Sequence, residues 1–298
     1  MTFTIEIKDT ENPSFRRYIG IPPVKADEIH KSDDAAINFG RSVITRAETI
    51  DADKGHYWRI HKGHRFYVDT KESDAAMKEI IFDFLLHGEY EPQTVKLIEE
   101  NVKEGDIAVD VGASIGVLTM HLARAVGHTG KVYAIEPTKN QFEYLKKNIH
   151  INGYDSTIIP LNVAAWNNDE KNFIARDLIA NEKALEKMEY PHKIRVNLGS
   201  GTDFEGIALD SILPPKVDFI KMDVDGSEPN ALKGLEKTIQ NNPQLKMIIE
   251  YYPDYIKLMG LNPQDVIDFL DKYFTYEKIK GDLGSNEYWN YYCIRKND

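Results

Sequence analysis

Several acidic residues stand at or near the ends of apolar runs, and their spacing could serve one reaction. Asp110 sits in IAVDV, Glu136 follows KVYAI and precedes Pro137, Asp223 follows VDFIKM, and Glu250 lies in MIIEY. A glycine-bearing turn comes directly after Asp110, reading Gly112-Ala113-Ser114-Ile115-Gly116, and a helix-forming run starts at Val117. Such a run, turn and run read as strand, tight turn and helix. Gly112 and Gly116 lack bulk where a ligand could approach the backbone, and amides at a helix start favour anionic or polar groups. An acid at the tip of the second strand is where a nucleoside's ribose hydroxyls are held. A plain strand–turn–helix joint would account for the first turn alone. Asp110 and Glu136 at successive strand ends together predict a nucleoside cofactor.

The glycine pattern narrows the choice of nucleoside. A dinucleotide site wants G-x-G-x-x-G so that bare backbone meets the pyrophosphate, and Leu118 stands where a further glycine would serve. A phosphate-binding loop needs G-K-[S/T], whereas Gly116 is followed by Val117 and Leu118. Asp110 would repel a diphosphate and suits a cationic or hydrogen-bond-donating group. S-adenosylmethionine has ribose hydroxyls for Glu136, an amino-acid end for the turn and no phosphate; S-adenosylhomocysteine would be its product. A nicotinamide-dependent oxidoreductase is disfavoured by the absent third glycine. A non-catalytic cofactor-binding scaffold is opposed by the intact Asp110, Glu136 and Asp223.

A third cluster is VDFIKMDVDGSE, Val217 to Glu228. Its strand delivers Asp223 to the carboxyl end of the sheet, where ligands of open α/β sheets bind. Asp225 and Glu228 follow around Gly226; both would also complement a helix N-terminus by charge alone. A sulfonium methyl is already activated, so the protein's task is to align the acceptor and remove its proton. Asp223 is the preferred base, with Asp225, Glu228 and His64 as the other candidates. His64 lies beside Arg65, Phe66 and Tyr67, and a packed aromatic face with solvated cations is the favoured reading of that stretch. The acids could instead hold a magnesium or calcium ion, since hard cations take carboxylate oxygens; no obligatory metal is expected.

The elements needed to position these residues follow from the hydrophobic pattern. Strands are predicted over Ile107–Val111, Lys131–Ile135, Thr157–Asn162, Val217–Met222 and Leu245–Tyr251, with helices over Gln93–Asn101, Val117–Val126, Gln141–Asn152, Asn230–Gln240 and Pro263–Lys272. Alternation of this kind implies a parallel sheet covered on both faces. The closing strands Thr275–Ile279 and Tyr288–Arg295 are joined by a loop too short for a parallel crossover, so they should be antiparallel. The expectation is a Rossmann-like α/β methyltransferase fold of class I. It would have a seven-stranded, mostly parallel sheet with an antiparallel C-terminal hairpin.

Residues 1–73 read as an N-terminal extension or cap, ahead of a methyltransferase domain over 74–298. His56 to Asp69 within the extension should form a hairpin turning at Lys62-Gly63. Ala75 to Gly88 has helical spacing. A polar insertion over about 172–214, with strand-like Lys193–Leu198 and Gly206–Leu213, is either a lid or substrate wall, or a surface hairpin without function.

Composition agrees. With 298 residues, 42% hydrophobic and 29% charged, the chain is an ordinary globule. A net charge of −11 argues against a nonspecific grip on nucleic acid. Cys293 is the single cysteine, so no intramolecular disulfide or cysteine metal cluster can form. The N-terminus has no secretory pattern and no run approaches the length of a membrane span, so a cytoplasmic location is expected. A homodimer is left open.

The chain resembles the FkbM-type S-adenosylmethionine-dependent methyltransferases over roughly Tyr67 to Glu250. The resemblance rests on GEYEP (Gly88–Pro92), GDIAVDVGASIG (Gly105–Gly116), YAIEP (Tyr133–Pro137), ALDSIL (Ala208–Leu213) and VDFIKMDVDGSEPNALKG (Val217–Gly234). The last block is the most specific. Two positions depart from the usual pattern: Ser114 replaces an asparagine and Asp225 a glutamate, each with shorter reach. The resemblance implies methyl transfer, usually to a hydroxyl of a sugar, lipid or secondary metabolite and sometimes to nitrogen, as in a peptide. It implies that Asp110, Gly112, Glu136 and Asp223 line the cofactor site, with Ala113, Ser114, Gly116 and Pro137 in the same motifs. It also implies that Glu91 meets the cofactor's amino-acid end and that Asn162, Val163 and Ala164 lie along the adenine.

Overall fold

The computed structural model describes residues 3–8, 16–21, 47–51, 56–61, 63–69, 90–167, 170–174, 203–280 and 288–296. The helix predicted over Ala75–Gly88, the strand-like Lys193–Leu198 and most of the expected insertion lie outside the described residues. Two compact units are present, one made of Met1–Ser73 and Met77–Tyr90, the other of Asp74–Ala76 and Glu91–Asp298.

In the first unit, β1 (Phe3–Lys8) pairs antiparallel with β2 (Arg16–Ile21). A separate three-stranded sheet has the order β3 (Ala47–Asp51), β4 (His56–His61), β5 (His64–Asp69). The expected hairpin is β4 and β5, in register from His56↔Asp69 to His61↔His64. Its turn carries Gly63 at φ 87, a conformation open to glycine without steric cost. The strands before residue 56 were not anticipated, because their stretch is polar overall and its turn signals hide the short runs.

The second unit is built on a seven-stranded sheet in the order β14-β15-β13-β12-β6-β7-β8. Here β6 is Ile107–Val111, β7 Lys131–Ile135, β8 Ile158–Leu161, β12 Phe219–Met222, β13 Lys246–Tyr251, β14 Phe274–Lys278 and β15 Trp289–Arg295. The five strands from β8 to β13 run parallel, and β15 is antiparallel to both β13 and β14. The strand order reverses at β6: the chain builds outward through β7 and β8, then returns to β6's other side with β12. Such a reversal opens a crevice at the carboxyl ends of the two central strands.

Seven helices are described in this unit: α1 (Pro92–Asn101), α2 (Val117–Val126), α3 (Lys139–Ile151), α4 (Glu228–Lys233), α5 (Glu236–Asn241), α6 (Pro253–Leu258) and α7 (Gln264–Tyr273). The core packs Val109, Val111, Ile220, Met222, Met247 and Ile249 of the central strands against Leu232, Ile239, Val266 and Leu270 of the helices. Cys293 is buried in the same cluster, and burial pushes its thiol's pKa up. No helix among the described residues is long and apolar enough to cross a membrane.

Three expectations are corrected. The single helix predicted over Asn230–Gln240 is two helices. Gly234 lies so close to Trp166 that an added Cβ would come within 1.9 Å of its carbonyl oxygen. Asp210 then restarts the helix, accepting the Lys237 and Thr238 N–H groups at 2.9 and 2.7 Å. The strand-like Gly206–Leu213 is only the end of β11 (Asp203–Ile207), followed by a 3-10 turn over Leu209–Ser211. Helix α6 was not predicted, since Tyr252-Pro253 reads as the end of a strand although proline is well suited to a helix's first turn.

Candidate functional site

Three strand tips converge where the sheet order reverses. Asp110 of β6 is in register with Lys221 of β12 on one side and Ala134 of β7 on the other. Asp223 follows the last residue of β12, and Glu136 the last of β7. Asp110 and Glu136 are buried, at 1% and 4% exposure.

The turn after β6 is organised chiefly by its own backbone. Gly112 and Ala113 both donate to the Ile135 carbonyl at 2.9 Å, and Gly116 donates to the Ala113 carbonyl at 2.8 Å. Gly112 adopts φ 84, and a Cβ there would fall 1.7 Å from the Asp223 carbonyl oxygen. Its lack of a side chain therefore serves the close approach of two strand tips, a role the sequence reading gave to a ligand. Gly116, at φ 92, similarly abuts Leu145 and Met120. Gly116 begins α2 without a side-chain cap, so the N–H groups of that helix's first turn have no acceptor within the helix.

Ser114 sits in the left-handed region at φ 50 and aims its N–H at Glu136 Oε2, at 2.8 Å. Thr138 N–H reaches the other oxygen, Oε1, at 2.7 Å. Each carboxylate oxygen thus holds one backbone donor, the Thr138 side chain adds a third hydrogen bond, and one of the four acceptor positions is left. Burial pushes the Glu136 pKa up to about 7, against the opposing pull of these bonds, and nearby Asp225 adds to the rise. Asn162 donates to the carbonyls of Glu136 and Pro137 at 2.8 and 2.9 Å, tying the end of β8 to the loop after β7. Val163 packs against the core, while Ala164 belongs to the short β9 (Ala164–Ala165), which pairs with β11 in a second sheet. The segment expected along the adenine thus leaves the main sheet after Leu161 and enters the second sheet at Ala164.

Asp110 Oδ2 accepts a 2.5 Å hydrogen bond from Thr119 Oγ1 on α2. Its Oδ1 is buried without a hydrogen-bond partner and lies 3.9 Å from Lys221 Nζ. The same ammonium is 3.3 Å from Asp223 Oδ2. Burial would depress the Lys221 pKa, but Asp223, Asp110 and Glu91 outweigh it and hold the lysine charged. Burial raises the Asp110 pKa, with Lys221 and Thr119 pulling it back. Glu91 stands at φ 40 before α1, and its Oε2 accepts from Asn290 Nδ2 at 3.2 Å.

Beyond Asp223 the loop doubles back sharply, with Asp225 at φ 51 and Gly226 at φ 92. Glu228, fully buried, holds this loop by accepting the Val224 and Gly226 N–H groups on Oε1, at 3.1 and 3.3 Å. Burial pushes its pKa up to about 8, so its carboxyl is mostly neutral at pH 7. That disfavours Glu228 as a base and fits a clamp. His64, the remaining candidate, lies in the first unit with its ring edge-on to Phe66 at 6.3 Å. No group of three or more metal-ligating side chains among the described residues is arranged to hold a cation.

Sequence reasoning missed Lys221, Thr119 and Asn290. Lys221 did leave a signal, since a lone cation within the buried-type strand FIKM needs a partner.

The buried carboxylates, the unpartnered Ser114 Oγ and Asp110 Oδ1, and the spare acceptor capacity of Glu136 fit a ligand with hydroxyl donors and positive charge. Together with the sheet order, they define the class of the protein as an S-adenosylmethionine-dependent methyltransferase. The methyltransferase FkbM domain family matches residues 110–278, and the chain belongs to that family.

Among characterised relatives, the hexuronic acid methyltransferase AglP of Haloferax volcanii is 26% identical over 209 residues, covering 70% of this chain and 76% of that protein. A tRNA (adenine-N(1))-methyltransferase, TrmI of Methanocaldococcus jannaschii, is 36% identical over 94 residues. That match covers 29% of this chain and 31% of the tRNA enzyme, so the chain spans about a third of its length. Among solved structures, an FkbM methyltransferase from Methylobacillus flagellatus aligns with a TM-score of 0.45 at 18% identity, covering 75% of this chain and 56% of that one. An S-adenosylmethionine-dependent methyltransferase from Aquifex aeolicus aligns with a TM-score of 0.44 at 17% identity, covering 76% of this chain and all of that one, at 100%.

Proposed function

We propose that the protein methylates a hydroxyl oxygen of a sugar-type acceptor, with Asp110, Glu136 and Asp223 lining the cofactor crevice. The observation that carries this reading is the convergence of these acids on adjacent strand tips, locked by the Ser114 N–H bond to Glu136. Similarity to a hexuronic acid methyltransferase over 70% of the chain supports the acceptor class.

In this reading the remaining acceptor position of Glu136 takes a ribose hydroxyl. Asp110 and Glu91 offer negative charge to the amino-acid end, while Ala113, Ser114 and Gly116 wall the turn with Pro137. Asn162, Val163 and Ala164 border the base. The cofactor supplies an activated methyl group. The chain's own work is to hold the acceptor oxygen in line with that methyl and take up its proton. Asp223 is the preferred base because its carboxylate is partly exposed, at 26%, where an acceptor can reach it. Asp225, presented by the strained turn, is the second candidate, and Glu228 holds the turn in place. Residues 1–73 are proposed as an extension separate from the methyltransferase domain over 74–298.

The test offers purified protein S-adenosylmethionine carrying a labelled methyl group and a panel of uronic acids, neutral sugars and peptides. Label transfer to a sugar hydroxyl supports the reading. Transfer to nitrogen only, or binding of S-adenosylhomocysteine with no transfer to any acceptor, overturns it.

A further inference from the structure

Lys221 has no place in the reading above, yet its ammonium is buried between the two central strand tips. Its strand is buried at every residue from Phe219 to Met222, and Lys221 itself is 6% exposed. Three acids surround it from separate elements: Asp110 on β6, Asp223 at the end of its own strand, and Glu91 ahead of α1. On β13 its register partner is the apolar Ile248, with Glu250 two residues further along. On α2 the nearest polar group of this network is Thr119, already committed to Asp110 Oδ2. Among the described residues, Lys221 is thus the one cation within salt-bridge distance of Asp110 Oδ1, which has no hydrogen bond of its own. A buried carboxylate with one hydrogen bond and no counter-charge takes up a proton near neutral pH.

We propose that Lys221 is a positioning residue of the transfer site: its ammonium, bridging Asp110 and Asp223 across β6 and β12, favours the charged form of the buried Asp110 and keeps both carboxylates aimed into the crevice. It acts through these acids and touches neither methyl donor nor acceptor. The inference rests on the reading that Asp110 and Asp223 line the cofactor crevice.

The consequence is a change in proton linkage. In wild-type protein Lys221 works against the protonation of Asp110 that burial favours. In Lys221→Met that opposition is gone, so the free protein carries more of a proton on Asp110, and the ligand's ammonium must drive it off. Titration calorimetry in two buffers of different ionisation enthalpy reads the difference. Near pH 7, K221M is expected to release up to about one proton more than wild type, and to lose affinity severalfold from pH 8.5 to pH 6.5 relative to wild type over the same interval.

A neutral packing role for Lys221 would move affinity without moving the proton count. The double variant D110N/K221M removes the stranded carboxylate, so it should regain the thermal stability lost in K221M. If K221M does not fold, the double variant must restore folding. A K221M protein with the wild-type proton count, or a double variant no more stable than K221M, overturns the proposal. Failure of wild-type protein to bind S-adenosylhomocysteine at all would instead sink the cofactor reading on which it rests.

Discussion

At the scale of single residues, the site is a set of buried acids whose ordinary charge is opposed by their surroundings. Removing Glu136 should expose how much of cofactor affinity it carries. Glu136→Ala is expected to weaken S-adenosylhomocysteine binding by about 1–3 kcal/mol, because buried hydroxyls would lose their acceptor. Equal affinity of variant and wild type in calorimetry would remove Glu136 from the site. The same burial shapes stability. Glu136 and Glu228 have pKa values near 7 and 8 in the folded protein, against 4.5 ordinarily. Between those limits the folded state binds more protons than the unfolded one, so stability is fully present below pH 4.5 and is lost as pH rises towards 8. The ligand-free protein should therefore need less urea to unfold at pH 8 than at pH 6, other groups being equal. Glu228→Gln mimics the neutral carboxyl and should recover a stabilisation on the order of 1–4 kcal/mol at pH 8. A urea midpoint at pH 8 no higher than that of wild type would show that Glu228 ionises at little cost.

At the scale of elements, what was legible in the sequence was local chemistry, and what escaped was contact between distant segments. Strands β6 and β7 and helix α2 begin and end where the apolar runs and glycines say they should. The C-terminal antiparallel pair followed from the length of a single loop. The division of one predicted helix into α4 and α5 was not legible, because its cause is a carbonyl of Trp166 pressed on Gly234 from a different part of the chain. The lysine bridge escaped for the same reason, as Asp110 lies on another strand. Gly112 was found, but one reason for it was not: its missing side chain admits a neighbouring strand tip. Gly112→Ala would place a methyl group 1.7 Å from the Asp223 carbonyl oxygen in a backbone conformation with φ 84. It should cost more than about 3 kcal/mol of stability, read as a lowered midpoint of urea unfolding. A variant as stable as wild type would mean the two tips separate easily.

At the scale of the whole molecule, net charge bears on the acceptor. With a formal charge of −11, the protein has little to offer a polyanion. Although one relative acts on tRNA, its similarity is confined to 29% of this chain. Mixed with tRNA at 150 mM salt, the protein is expected to cause no gel retardation at concentrations up to about 10 μM, weaker than the usual range of specific recognition. Retardation at nanomolar protein would redirect the search for the acceptor to nucleic acids. The seclusion of Cys293 has a practical consequence of its own. Because the chain's single thiol is walled into the core, a maleimide dye should leave the native protein colourless. A cysteine introduced at an exposed position, for example in place of Lys96, whose side chain is 64% exposed, would then be the sole point of attachment. The wild-type chain is in effect a ready background for fluorescent reporters of ligand binding.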